Sequence, residues 1–232
     1  MCNAFLAISI KQYRVQYWES TSSSTDSSTH KEQFVQTSTT QARSERVVFL
    51  NGERLYLRPE CKSDVPLFVR WFNDPEVTSF SPARHPVAEK DESDWVRSLE
   101  QKSDLVMLTI VLKGETPDAD RPIGALGIHS IDQVSRVATT GITIGETSCW
   151  GRGYAAEAES LLLGYVFNVL NLRKIYANVL STNIRSRRLF EKSGYGLEAV
   201  LRKRHFRLGR YVDELVFSID AVMWRKCDRK LL

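Results

Sequence analysis

Hydrophobic positions recur with a structural period only from Arg46 onward. Val47 to Leu50, the pair Asn51-Gly52, and Leu55 to Leu57 predict a hairpin with a tight turn. Ser63-Asp64 opens a helix carrying Leu67, Val69, Trp71 and Phe72, which stops at Asn73-Asp74-Pro75. A second helix is expected from about Ala88 to Gln101, with Trp95 and Leu99 on one face. Leu105 to Leu112, Ile123 to Ile131 and Val137 to Ile144 predict three strands. A long helix follows Gly151 and runs to about Leu170, its apolar positions Ala155, Ala158, Leu162, Tyr165 and Val169 spaced by three and four. Arg173 to Leu180 predicts a strand, Asn183 to Ser193 a helix, and Tyr195 to Phe206 a strand. After a turn at Gly209, Val212 to Val222 returns antiparallel. Strands first, then alternating helices and strands, imply one mixed sheet with helices on its faces.

Residues 1–45 differ in kind. From Ser20 to Thr29 every residue except Asp26 is Ser or Thr, and Thr37 to Thr40 repeats the bias. Such a stretch buries too little apolar area to offset the entropy of ordering, so a disordered tail is expected. The whole chain is 42% hydrophobic and 26% charged, enough for one sizeable core. A net charge of +4 is too mild to indicate nucleic-acid binding, though it suits a polyanionic small ligand. Cys2, Cys61, Cys149 and Cys227 lie far apart, no CxxC or HExxH occurs, and no metal site is expected. No apolar run approaches the ~18 residues that span a bilayer, and the apolar start, Ala4 to Ile10, lacks a preceding basic residue. A cytoplasmic protein with reduced thiols is the expectation.

The most informative segment runs from Ile142 to Ala158. A strand ends, a short link follows, and a helix begins with Gly151 and Gly153 one residue apart. Glycines there let backbone approach a ligand closely. The first amides of a helix lack intrahelical acceptors and sit at the positive end of its dipole, which makes an anion site. Gly151-x-Gly153-x-x-Ala156 also fits the dinucleotide fingerprint, but Thr147 to Trp150 separate it from its strand and residues 170–180 contain no Asp or Glu. A nucleoside-triphosphate loop would need Gly-Lys-Ser/Thr, which is absent. On these residues alone, a pyrophosphate cradle and glycines present only for packing both stand.

The turn Trp150-Gly151-Arg152-Gly153-Tyr154-Ala155 resembles the pyrophosphate motif of the GNAT superfamily of N-acetyltransferases, Q/R-x-x-G-x-G/A, with Trp150 in the Gln/Arg place. Trp-Gly-x-Gly-Tyr-Ala-x-Glu-Ala at 150–158, Asn73-Asp74-Pro75-Glu76-Val77 and Leu55-x-Leu-Arg-Pro59 are similar to the branch holding RimJ- and RimL-type ribosomal-protein acetyltransferases and spermidine acetyltransferases. Asn183-x-x-Ser186 through Gly194-Tyr195 is similar to the family's second cofactor segment, and Glu198, Arg202, Gly209, Tyr211 and Asp213 to its closing hairpin. The resemblance implies an α+β GNAT fold. Its single mixed, mostly antiparallel sheet would have six to seven strands, helices on both faces and splayed central strands. That domain would span 46–225, between the 1–45 tail and a short C-terminal tail, 226–232.

It further implies that acetyl-coenzyme A is the acyl donor and that no metal takes part. The acceptor would be a small amine or a protein N-terminus, met by a monomer or homodimer with neither nucleic acid nor membrane. Strands ending near Glu146 and Leu180 would part to admit the pantetheine arm, pairing it with backbone from Ile144 and Gly145 to Glu146. Amides from Gly151, Arg152, Gly153, Tyr154, Ala155 and Ala156, beside Trp150, would cradle the pyrophosphate. Asn183 and Ser186 would approach the thioester, and Arg152, Arg187 and Arg188 the cofactor phosphates. Many relatives carry a Tyr general acid where this chain has Phe190, so Ser186, or a water held by Asn183, is the expected donor. Glu146 is the expected base, with His129 and Glu198 as alternatives, and Asp213 and Glu214 are expected to bind amine or pair the hairpin. A non-catalytic cofactor-binding module is the competing reading.

Overall fold

The computed structural model describes residues 46–80 and 85–228. The expected tail, residues 1–45, and the end of the chain past 228 lie outside the described residues. In chain order the elements are β1 (Leu50–Asn51), β2 (Leu55–Pro59), α1 (Val65–Asn73), the single turn α2 (Pro75–Thr78), α3 (Glu89–Ser98), β3 (Val106–Leu112), β4 (Arg121–Asp132) and β5 (Val137–Ile144). They continue as α4 (Tyr154–Asn168), β6 (Lys174–Leu180), α5 (Ile184–Lys192), β7 (Gly196–Arg207), β8 (Arg210–Asp220) and α6 (Ala221–Asp228).

The strands form one sheet of eight in the order β1-β2-β3-β4-β5-β6-β8-β7, rather than six or seven. The extra strand arises because the opening hairpin and the closing hairpin both join the sheet: Leu50 pairs with Leu57, and β7 lies outside β8. All neighbours are antiparallel except β5 and β6, which are parallel and joined through α4. Every tight turn can close an antiparallel pair, whereas the parallel pair needs the helical crossover.

Alternation along the strands divides the core into two layers. Leu126, Ile128, Ile142, Ile144, Ile175, Val179, Phe217 and Ile219 pack under α4, with Phe190 of α5 in the same cluster. The other face, with Met107 and Ala125, packs against Phe68, Trp71 and Phe72 of α1 and Trp95 of α3. On α4 the buried stripe is Ala158, Glu159, Leu162, Leu163, Val166 and Phe167. Val169, expected on that stripe, is exposed because the helix has ended at Asn168. Two short elements escaped the period-based reading. Asp74 accepts the amide of Glu76 to start α2, and Asp220 Oδ1 accepts those of Val222 and Met223 at 2.8 Å each to start α6 where a strand was expected to continue.

Glu159 ties three elements together beneath the sheet. It is buried on α4, accepts the Tyr195 hydroxyl at 2.6 Å, and receives Thr140 of β5 at 3.4 Å. Burial raises its carboxyl from the ordinary 4.5 to about 7, against the lowering effect of those two hydrogen bonds. His129 on β4 moves the other way: burial lowers it to about 4. A raised carboxyl favours the folded state below the unfolded value and loses that contribution as pH rises through about 7. The lowered His129 contributes above 6.5 and is lost as pH falls through about 4. Glu159→Gln keeps an acceptor for Tyr195 and cannot ionise. It is expected to remove a stability loss on the order of 3 kcal/mol that the wild type suffers between pH 4.5 and the alkaline side of neutrality, so thermal melts at pH 5 and pH 8.5 should differ less than wild type.

Candidate active site

The sheet opens between its two parallel strands. β5 and β6 pair from Val137↔Lys174 to Thr140↔Ala177 and no further. Beyond that point β5 stays with β4 as far as Ile144↔Gly124, while β6 stays with β8 as far as Leu180↔Glu214. Gly141–Ile144 and Asn178–Leu180 therefore border a wedge-shaped gap. A gap inside a sheet leaves main-chain groups that need partners from elsewhere.

Two buried side-chain atoms at this gap are also unpaired. Thr143 Oγ1 on β5 and Asn183 Nδ2 at the head of α5 have no hydrogen-bond partner among the described residues. Asn183 is fully buried and its Oδ1 caps the helix by accepting the Ser186 amide at 3.1 Å. Ser186 is buried one turn into α5. A buried donor left unpaired costs about 1–3 kcal/mol, so two of them at one gap mark a place for a polar ligand.

At the head of β5 the glycine turn takes a conformation that explains its glycines. Gly151 has φ +74° and Gly153 φ +82°. The amides from Gly151 to Ala155 carry no hydrogen bond among the described residues, and the first helical acceptor, Gly153 O, serves Ala156 and Glu157. These amides open a 15-residue helix, the place where the unpaired donors and the helix dipole favour an anion. Arg54 fixes the turn from behind: its Nη1 reaches Arg152 O and its Nε reaches Glu157 Oε2, both at 2.8 Å, with the guanidinium 4.7 Å above the Tyr154 ring. Glu157 Oε1 in turn accepts the Arg54 amide at 2.8 Å, so the β1–β2 turn and the start of α4 are one unit.

Trp150 seats the turn on the strand. Its Nε1 donates to Ile144 O at 2.8 Å, and its ring packs against both core layers. Arg185 of α5 lies 5.4 Å over that ring, a cation beside the gap that no motif in the sequence marks. Of the arginines expected near the phosphates, Arg187 is paired with Glu191 at 2.8 Å, and Arg152 and Arg188 are exposed. The backbone of Ile144 to Glu146 is partly committed: Gly145 and Glu146 amides both donate to Ile123 O, and Ile144 O holds Trp150. Gly145 itself lies against Trp71, whose ring would stand 2.1 Å from an added Cβ.

Glu146 is held rather than free. Its Oε1 accepts from Trp71 Nε1 at 2.9 Å and from Arg70 Nη2. Glu198 is paired with Lys174 at 2.7 Å, and Asp213 Oδ1 accepts the Lys203 amide at 2.7 Å. His129 is buried on β4 opposite Thr139, within the paired part of the sheet. A feature that spacing along the chain does not reveal is the hydrogen-bonding contact of His205 Nε2 with Glu214 Oε2, with Arg204 Nε 3.7 Å from the same oxygen.

The sequence profile described as an acetyltransferase (GNAT) domain matches residues 54–196. The N-acetyltransferase p20 of Bacillus licheniformis, itself uncharacterized, is 31% identical over 173 residues, 73% of this chain and 94% of that protein. The spermidine N(1)-acetyltransferase of Vibrio cholerae is 34% identical over 91 residues, 39% of this chain and 52% of that protein. A crystal structure of spermidine N-acetyltransferase from Vibrio cholerae in complex with CoA and spermine superposes with a TM-score of 0.67 at 23% identity, covering 74% of this chain and 98% of that one.

The left-handed turn makes a separable prediction. An added Cβ at Gly153 meets only Arg54 Nη2, at 3.4 Å, so Gly153→Ala suffers from backbone strain more than from crowding. The expected loss is about 1–2 kcal/mol of unfolding free energy in urea, together with weaker binding of inorganic pyrophosphate by calorimetry.

Proposed function

The chain belongs to the GNAT acetyltransferase family, and from that premise we propose that it transfers the acetyl group of acetyl-coenzyme A to a primary amine by direct attack in a ternary complex. The observation that carries the reading is the gap between β5 and β6, with Thr143 and Asn183 unpaired on it and the open amides of the glycine turn at its head. An arm bearing amides and ending in a pyrophosphate matches that order of polar groups. Each charge-assisted bond to a phosphate is worth about 1.5–3 kcal/mol. A few of them supply much of the roughly 8 kcal/mol of micromolar binding. Gly151 to Ala155 would hold the pyrophosphate, whereas the Ala156 amide, expected to join them, is already donated to Gly153 O. Arg152, Arg185 and Arg188 supply positive charge near its mouth, and Ile144 and Gly145 border the arm.

The chemistry asks for proximity, a proton acceptor for the ammonium, and a proton donor for the departing thiolate. Phe190 has no hydroxyl, and the nearby Tyr195 hydroxyl is spent on Glu159 inside the core. Ser186, oriented with Asn183 at the first turn of α5, is the donor in this reading. Glu146 joins Arg70 and Trp71 into a clamp between β5 and α1, and so positions the wall of the site.

The acceptor is best read as a peptide or protein N-terminus. A polyamine needs free carboxylates for its several cations. Glu146 and Glu214, at the gap and one strand beyond it, already hold Arg70 and His205. A non-catalytic module that keeps the cofactor is the second reading, favoured by Phe190 alone.

The test is thiol release from acetyl-coenzyme A with a panel of N-terminal peptides, spermidine and an amino sugar. Release that depends on one of these amines is expected, with peptides the best acceptors. Binding of acetyl-coenzyme A without turnover on any amine would favour the non-catalytic module. Ser186→Ala should lower kcat at saturating amine by roughly 10- to 100-fold, with the Kd for acetyl-coenzyme A unchanged. An unaltered kcat removes Ser186 from the mechanism.

A further inference from the structure

We propose that His205, oriented by Glu214, is the group that takes the proton from the acceptor's ammonium; this rests on the acetyl-transfer reading above. Leu215, Phe217 and Ile219 of β8 point into the layer under α4, so the alternating Glu214 points to the opposite face. That face is covered over β3 to β5 by α1 and α3, whereas Asn178 and Val216 beside Glu214 remain partly exposed. Glu214 pairs across β8 with Leu180, the residue at which β6 ends along the gap. Its backbone thus lies one strand, about 4.8 Å, from the strand that edges the wedge, with its side chain on the face left open to an incoming amine.

The backbone is bent to bring His205 there. The β7–β8 register shifts between Leu201↔Glu214 and His205↔Val212. Lys203, in the bulge between, has φ +52°, and its amide is held by Asp213 Oδ1. A non-glycine residue in the left-handed region is strained, and a bulge of this kind re-aims the side chains that follow it. Here the result is the bond from His205 Nε2 to Glu214 Oε2, with both side chains largely out of solvent. Arg204, also on β7, is the charged neighbour of the pair, and the adjacent β6 residues Asn178 and Leu180 carry no charge.

An ionised carboxylate only accepts, so Glu214 fixes the proton of the imidazole on Nε2 and leaves the Nδ1 lone pair as the base. The ammonium gives one proton to Nδ1, and Glu214 stabilises the imidazolium that forms. The freed nitrogen lone pair makes the bond to the thioester carbonyl carbon, and the carbon–sulfur bond breaks. A second proton, lost from the attacking nitrogen, reaches the thiolate through the Ser186 hydroxyl. The imidazolium then returns its proton to solvent. The net change is ammonium plus thioester to amide, thiol and one released proton.

The test uses the full chain and the best acceptor from the amine panel, followed from pH 6 to pH 10. His205→Gln should lower kcat by about 10-fold at pH 7 and more at pH 6, as the neutral fraction of the amine falls, with the Kd for acetyl-coenzyme A and the melting temperature near wild type. The deficit should shrink as pH passes the amine's own pKa, about 8 for an α-amine, because the acceptor then arrives unprotonated. Glu214→Gln, acting through the imidazole, should give a smaller loss and move the acidic limb of kcat/KM to lower pH. A loss that stays constant across pH, or wild-type kcat at pH 7 in His205→Gln, overturns the assignment. Wild-type enzyme inert toward every amine would instead defeat the transfer reading on which the assignment stands.

Discussion

The structure turns on the separation of two parallel strands after Thr140 and Ala177. Main-chain groups inside a sheet have no water to fall back on, and leaving them unpaired is costly. The parting persists because each strand is secured on its far side. β5 keeps its ladder with β4 to the end, and β6 keeps its ladder with β8 to the end. Packing then holds the wedge from both layers. Trp71 lies against Gly145 from one face, and Trp150, tied to Ile144 O, bridges the two layers. A side chain at 145 would drive the Trp71 ring away and release that wall. The glycine there is explained by an indole rather than by close approach of a ligand alone.

The same wedge sets the electrostatics. The helix that begins at its head contributes free amides at the positive end of its dipole, and Arg54 and Arg185 add charge from two other elements. Two carboxylates near this positive field are neutralised in pairs, Glu157 by Arg54 and Glu146 by Arg70, and Glu214 is engaged by the His205 ring. An anionic ligand at the glycine turn would find the nearby Glu157 carboxylate already paired with Arg54. Deeper down, Glu159 joins α4, β5 and the start of β7 through Thr140 and Tyr195, next to the last paired rung of the parallel strands. The helix that presents the amides is thereby tied to the point at which the gap begins.

Much of this was legible in the sequence because it is local. The strand, link and glycine-rich helix start at 142–158 announce themselves by period and by residue type, and β5 spans Val137–Ile144 as expected. Asn183 as a helix cap is likewise a local signal. What was not legible depends on partners far along the chain. Glu146 reads as a free carboxylate until Arg70, 76 residues earlier, is folded against it. His205 reads as one of four scattered histidines until a bulge, invisible to a two-residue alternation, turns it onto Glu214. α6 is hidden for a related reason: Asp220 both ends a strand and caps a helix, so the apolar run through Val222 conceals the change.

The hydroxyls of this region show why the chemistry cannot simply be carried over from relatives with a tyrosine on α5. Phe190 fills that place and packs edge-on to Tyr195, with ring centroids 5.0 Å apart. Tyr195 brings a phenol into the same neighbourhood, but its hydroxyl is buried against Glu159, and burial together with that carboxylate raises its pKa well above the usual phenol value. A donor so placed is structural: it stabilises the core and cannot reach a sulfur in the gap without breaking the Glu159 contact. With phenylalanine at 190, α5 carries no phenol that could donate a proton, and Tyr195 does not supply one to the gap. The hydroxyl that remains on the gap side of α5 is Ser186, fixed through its own amide by Asn183. A serine there donates well only if the incoming amine has already shed a proton to something else. In the proposed acetyl transfer, that requirement would place the weight of the reaction on a base outside α5, such as the imidazole proposed on the open face of the sheet.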